Sequence, residues 1–425
     1  LNYYQRPDER YTLGAFGRYE INEHAEAFAQ LMFSDYKSVA QIAPSGVFFS
    51  GVSQGFRTAD GSATLNCDHP LLSAQQRTAI GCTPARVAAG TDVPIYIGRR
   101  NVEGGGRQDT LNLQSYRAVV GLRGMITEGW NYDVAAQFSR VALSRVYLND
   151  MSQTRIARAL DVVRNPVGGA PVCSSVLTGQ DANCVPYDIF TGAGPSQAAL
   201  AYLQIPLVLT GETTQQVVTA AITGDLGLYG WQSPYAERGI QVAFGAEYRR
   251  DALSSTPDNS FQINDGAGQG GATLPVAGSA DVKDLFAEIQ IPLADGQTWA
   301  ESASIDAAYR RSEYDKISTD TYKIGADWAP TSDFRLRASY ARAVRAPNVI
   351  ELFTSQGLNL FDMAADPCGD VSGTSVRQAT AAQCLATGVP AAFYRSASLN
   401  SPAGQYNFLQ GGNSNLNPEE SDTIT

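Results

Sequence analysis

The sequence predicts an all-β chain, an antiparallel transmembrane β-barrel with long extracellular loops. Three observations carry this. Apolar and polar residues alternate with period two over many segments, short and very long connections take turns between those segments, and Tyr and Trp gather at segment ends. A soluble β-sandwich also alternates, but its strands are shorter and their exposed faces lack such consistent end-placed aromatics.

We read about ten strands, near residues 10–20, 24–36, 109–124, 130–148, 213–228, 236–251, 280–293, 297–314, 320–329 and 333–345, with an eleventh beginning near Glu420. In the fourth, Tyr132, Val134, Ala136 and Phe138 oppose Asp133, Ala135, Gln137 and Ser139. In the sixth, Ile240, Val242, Phe244, Ala246 and Tyr248 oppose Gln241, Ala243, Gly245, Glu247 and Arg249. Ile305, Ala307 and Tyr309 continue the pattern, as do Tyr322, Ile324, Ala326 and Trp328, and then Phe334, Leu336, Ala338 and Tyr340. Short turns are expected at Glu20–Glu23, Thr127–Gly129, Ala294–Gln297 and Pro330–Asp333, with one short connection near Lys316–Asp320. Between them lie excursions of roughly 70, 65, 30 and 70 residues, which suit surface loops of a barrel and not the inside of a compact soluble domain.

Composition closes other routes. The 425 residues carry 31 basic and 42 acidic side chains, a net charge of −11, so nucleic acid is not an expected partner. His24 and His69 are too few for a histidine metal centre; no metal site, cofactor or catalytic site is read, and the chain is not expected to be an enzyme. The uncharged stretch 189–211 contains Gly192, Gly194, Pro195 and Pro206, so a loop with a short helix around Ser196–Leu203 is expected in place of a membrane helix. Gly266–Gly271 lacks the Lys-Ser/Thr and helix of a phosphate loop and reads as a flexible loop tip. Six cysteines fall as three close pairs, Cys67/Cys82, Cys173/Cys184 and Cys368/Cys384. Closing short loops costs least entropy, so structural disulfides within each pair, in an oxidising compartment, are expected.

The segment Leu336–Phe353, with Arg345, Ala346, Pro347 and Asn348 at its centre, resembles the barrel signature of TonB-dependent outer-membrane receptors. So does Asn415–Thr425, with Asn417, Pro418 and Glu419, and the likeness extends through Phe244–Arg250, Asp281–Glu288, Glu9–Phe16 and Ala40–Pro44. The resemblance implies a cell outer membrane location in a Gram-negative bacterium and uptake of a scarce small-molecule ligand, of siderophore, cobalamin or oligosaccharide class, with TonB-coupled energy. Barrels of that family have about 22 strands around a plug. Residues 1–425 therefore read as a partial barrel domain without the plug domain, and without the amino-terminal segment that engages the TonB complex.

In such a barrel Glu247, Arg249, Asp306, Arg310, Asp327, Arg335 and Arg337 face the lumen, in a hydrated ionic network against the plug or in contact with ligand. Arg342 falls on the lipid side beyond Tyr340, meeting lipopolysaccharide phosphate, unless a bulge turns it inward. Phe353, Phe361, Phe393, Tyr394, Tyr406 and Phe408, in the loop between Arg345 and Pro418, are candidates for ligand capture or for packing of the loop on itself. Alternatives are a passive porin, an outer-membrane enzyme barrel or a cell-surface β-rich binding protein.

Overall fold

A computed structural model describes residues 2–49, 64–95, 97–401 and 404–425. Eleven strands make one sheet: β1 (Asp8–Asn22), β2 (Ala25–Pro44), β3 (Gly106–Thr127), β4 (Trp130–Met151), β5 (Gln204–Asp225), β6 (Gln241–Pro257), β7 (Val276–Gln297), β8 (Ala300–Tyr314), β9 (Ser318–Thr331), β10 (Phe334–Arg345) and β11 (Glu419–Ile424). Each pairs antiparallel with its neighbours in chain order. This meander is the barrel wall anticipated from the alternation, with β1 and β11 as its two edges.

Register makes the two faces explicit. Ala135, Thr219, Glu247, Asp284, Ser312 and Thr319 form one cross-strand row from β4 to β9. The adjacent row on the opposite face includes Val134, Ala220, Ala246 and Leu285, and below it run Tyr132, Ile222, Phe244, Ala287, Tyr309 and Tyr322. Leu285 is 67% exposed and Phe244 50%. A continuous apolar face left open over a whole sheet needs an apolar partner, and in this architecture lipid supplies it.

Four two-residue turns lie on one rim: Glu23-His24, Glu128-Gly129, Thr298-Trp299 and Ser332-Asp333 join strands whose flanking residues remain paired. The connection 226–240 lies on the same rim. Segments 45–105, 152–203, 258–275, 315–317 and 346–418 leave from the other. Two turns differ in place from expectation. The first is Glu23-His24, fixed where the Asn22 side chain accepts the His24 amide and the His24 ring meets the Met125 carbonyl at 2.9 Å. The β7–β8 turn moves to Thr298-Trp299 because a bulge after Pro292 absorbs a residue and the strand runs on to Gln297. β5 begins at Gln204, well before 213, since Pro206 sits at a register shift where no amide is needed.

The long segments fold on one another. Val47, Met151, Ile156, Leu160, Tyr187 and Leu203 form a core drawn from two of them and the end of β4, and the helix Gln197–Leu203, capped by Ser196, packs into it. All three expected disulfides are present, with Cα separations of 5.5, 6.1 and 5.6 Å for Cys67–Cys82, Cys173–Cys184 and Cys368–Cys384. Asp150, fully buried at the end of β4, accepts from Ser45 Oγ at 2.5 Å, from the Gly268 amide at 2.9 Å and from Gln269 Nε2 at 3.1 Å. One carboxylate thus ties two loops to the end of β4. Gly266–Gly271 is consequently no loop tip. Arg107 Nη1 donates to the Gly268 carbonyl at 2.9 Å, Gly270 lies against the Leu360 side chain, and a Cβ at Gly271 would stand 2.5 Å from the Leu358 carbonyl oxygen, so a side chain there is opposed by the backbone of a crossing segment.

His69 is also buried among these loops, with Nε2 donating to the Leu160 carbonyl (3.1 Å) and Nδ1 accepting the Leu71 amide (3.3 Å). Burial holds its pKa below the ordinary 6.5. The neutral ring is therefore the native form, and its contribution is complete above pH 6.5 and lost as pH falls through 6.5 towards the lowered folded value. Hydrogen-exchange protection of the Leu71 amide should drop over that window, and His69→Gln should flatten the response; a pH-independent protection factor would contradict this.

A second expectation concerns the apolar face. Phe244→Arg should cost about 2–4 kcal/mol of folding free energy in a bilayer, while Gln241→Arg, on the polar face of the same strand, should cost much less. Reversible unfolding in lipid vesicles measures both, and equal tolerance would refute the assignment of faces.

Candidate functional site

The polar face is ionic, and its charges bind one another, mostly across strands. Arg310 on β8 binds Asp284 at 2.6 Å and Glu247 at 3.1 Å. Asp327 accepts from Arg335 at 2.7 Å and Arg337 at 3.1 Å, Asp306 meets Lys323 at 3.1 Å, and Arg249 Nε lies 3.3 Å from Asp251. All seven residues expected on this face are there. Asp284, Asp251 and Lys323 complete the pairs; each lies on the polar parity of its strand, a signal present in the sequence and not used. Nearer the loops the same face turns apolar, with Tyr147, Ile205, Leu207 and Leu209 packed around Phe261.

The two family segments meet at one residue. Arg345, last in β10, donates to Glu419, first in β11, at 2.6 and 3.1 Å, and to Glu351 at 3.0 and 3.2 Å. Glu351 in turn accepts the Asn348 amide at 2.8 Å, while Asn348 Oδ1 accepts the Glu351 amide at 2.9 Å, a capping box that starts the helix Val349–Phe353. Pro347 places Ala346 in an extended conformation before that cap. The Arg345 hydrogen bonds hold the Glu351 carboxyl below its ordinary pKa. The guanidinium thereby gathers both feet of the 346–418 segment and folds residues 346–350 over the polar face. They roof a recess of about 630 Å³ whose walls include Gln215, Arg249, Asp251 and Tyr314.

The loop aromatics divide into three places. Phe361, Tyr406 and Phe408 come together on one face of the hairpin Gly357–Asp362/Gln405–Gln410, with ring centroids 6.1 and 5.8 Å from Phe361 and Phe361 and Phe408 still exposed. Phe353 instead packs on Gly278 of β7, where a Cβ would come within 2.3 Å of its ring. Phe393 and Tyr394 belong to the lobe closed by Cys368–Cys384, where the Tyr394 hydroxyl donates to the Ala379 carbonyl at 2.9 Å. Sequence reasoning grouped six residues that the fold separates, because pairing within a loop is a register property that spacing does not reveal. In the neighbouring loop Asp181 accepts from Tyr202 at 2.8 Å and Arg158 at 2.9 Å. These bonds hold its carboxyl below the usual range, while burial and the same contact push Tyr202 up to about 12.

An antiparallel meander with an apolar outer face, an ionic inner face and all its long loops on one rim defines a transmembrane β-barrel. The profile described as TonB dependent receptor-like, beta-barrel, matches residues 87–425, and the chain belongs to that family. No curated protein matches it. Among solved structures it is similar to a double mutant of the ferric enterobactin receptor PfeA from Pseudomonas aeruginosa, at 14% identity and TM-score 0.40, over 87% of this chain and 37% of that one. A single mutant of the same receptor in complex with enterobactin gives 12% identity and TM-score 0.31, over 97% and 50%. The chain thus spans half or less of the length of these structures. β1 and β2 lie before the matched residues yet continue the same sheet.

If Arg345 holds both feet of the 346–418 segment, Arg345→Ala should release it. Limited proteolysis should then cut within 346–418 well before the wild type is cut, with the strands still protected, and Arg345→Lys should restore little because one ammonium cannot serve two carboxylates bidentately. Identical cleavage of all three proteins would refute the clamp.

Proposed function

We propose that this chain is the ligand-receiving part of an outer-membrane transporter of a Gram-negative bacterium, one that captures a scarce extracellular small molecule and admits it with TonB-coupled energy. One observation carries the reading: the longest loop is anchored by Arg345 at the strand ends, its residues 346–350 roof a recess on the ionic face, and its hairpin carries the clustered Phe361, Tyr406 and Phe408 rings. Rigid aromatics beside small polar residues suit capture of a compact ligand. A matched, hydrated ionic wall suits a removable plug domain better than a permanent dry core, because water can replace its partners when the plug moves. Sheet edges at β1 and β11 would be costly in lipid, so further strands are needed to close the wall. Siderophore, cobalamin and oligosaccharide ligands all fit this reading.

Cells carrying the complete receptor should take up a member of one radiolabelled panel of ferric siderophores, cobalamin and oligosaccharides only when the TonB protein is present. Uptake that persists without it would favour a passive pore. Replacing Phe361, Tyr406 and Phe408 with alanine should weaken binding of the transported compound by about tenfold or more, with the barrel still inserted. Deleting 364–397 should abolish high-affinity binding, and unchanged affinity would move the search to the loops 45–105 and 152–203.

A further inference from the structure

At the loop-bearing rim β7 outruns its neighbour β8. Its ladder to β6 continues as far as Val276, opposite Ser255, whereas its ladder to β8 stops at Val282, opposite Tyr314. The Tyr314 amide donates to the Ile317 carbonyl at 2.8 Å, so the Tyr314 peptide group turns toward β9 and that of Glu313 toward β7. Peptide groups alternate in direction along a paired strand, so on β7 the odd-numbered residues face β8. Past Asp281 no β8 is left to receive them. The Ser279 amide and carbonyl have no hydrogen-bond partner among the described residues.

The space beside this free edge is a slot with defined walls. The 315–317 turn blocks it where β8 ends, and the foot of the 346–418 segment stands across from β7, leaving a cavity of about 280 Å³. Pro347, Leu352, Phe353 and Leu416 make that far wall apolar. Lys316 stands on the blocking turn, where its ammonium donates to the Ser414 carbonyl at 3.4 Å and makes no ion pair among the described residues. Asp281 also borders the cavity, but Arg250 at 3.2 Å and Tyr248 at 3.3 Å already hold its carboxylate. An unpaired strand edge, an apolar wall and a cation at the blocked end make three separate demands on an occupant.

We propose that the slot receives the carboxyl-terminal end of an extended peptide whose last side chain is apolar. The peptide lies along 277–281 where β8 would have continued and exchanges hydrogen bonds with Ser279. Its last side chain packs on Leu352 and Phe353, and its terminal carboxylate meets Lys316. A fatty acid would satisfy the ammonium and the apolar wall but leave the Ser279 peptide group unpaired. An internal stretch of chain would run into the 315–317 turn, so the occupant ends there. Asp315, exposed on the same turn, disfavours an acidic side chain beside that end. Tyr314, Ala346 and Pro347 line both this slot and the recess on the polar face, so an occupant bears directly on the roof of that recess. The inference is independent of which ligand is transported.

The test uses the full-length receptor in lipid nanodiscs, with empty discs as the blank, and an uncharged hexapeptide ending in leucine and labelled with fluorescein at its amino end. Fluorescence anisotropy should show binding of the free acid, and binding about tenfold or more weaker for its carboxamide and for the same peptide ending in serine. Methylating the backbone nitrogens of the peptide should weaken binding by a similar factor. K316Q should bind acid and carboxamide alike. Hydrogen exchange at the Ser279 amide of the wild type should slow when the free acid is added. Equal binding of acid and carboxamide by the wild type, discrimination retained by K316Q, or unchanged exchange at Ser279 would each overturn the proposal. Full displacement of the peptide by equimolar octanoate would overturn it as well, since strand pairing would then contribute nothing.

Discussion

In hydrocarbon a peptide group without a hydrogen-bond partner costs several kcal/mol, and the structure is organised around meeting that demand. Eleven strands pair in chain order, so the nine strands between the edges β1 and β11 find backbone partners on both sides. Period two follows, because a paired strand can turn only alternate side chains outward. Prolines are admitted where pairing is already interrupted, as at Pro206, or next to such a point, as at Pro44 and Pro292. Every change of direction is pushed to a rim, and the chain spends its irregular backbone there.

At the loop-bearing rim the problem is reversed, since irregular chain must be held without a ladder. Single polar side chains do this by each satisfying several groups. Asp150 joins two loops to the end of β4, Arg345 joins two strands and a helix, and buried neutral His69 uses both ring nitrogens. Small apolar clusters and three short-range disulfides complete the job, as expected where segments are too short to bury large cores. The result is a set of loops held to the wall and to one another by a few multiply bonded side chains.

Both faces of the wall carry paired charge. On the polar face arginines and carboxylates satisfy one another across strands, which leaves a wettable surface without a strong local field. On the opposite face Arg140, Arg250, Arg311 and Arg342 each pair with a carboxylate of the following strand.

How much of this was legible in the residues follows from the range of each interaction. Alternation is local, so the strands, both faces and the placement of seven charges on the polar face were determined by the sequence itself, and the cysteine pairs followed from short loop closure. Boundaries moved where bulges intervened, as at Pro206 and Pro292, because a bulge answers to the neighbouring strand's register. Gly266–Gly271 looked like a free tip since nothing nearby in the chain announces Asp150, Arg107 or Leu360. Likewise the arginine signature and the Glu419 segment were recognisable separately, but only the adjacency of β10 and β11 brings them into one clamp. Tertiary structure also split the six loop aromatics into a hairpin face, a wall contact and a disulfide-closed lobe, because contacts between residues far apart in the chain depend on how intervening segments pack, which no local pattern encodes.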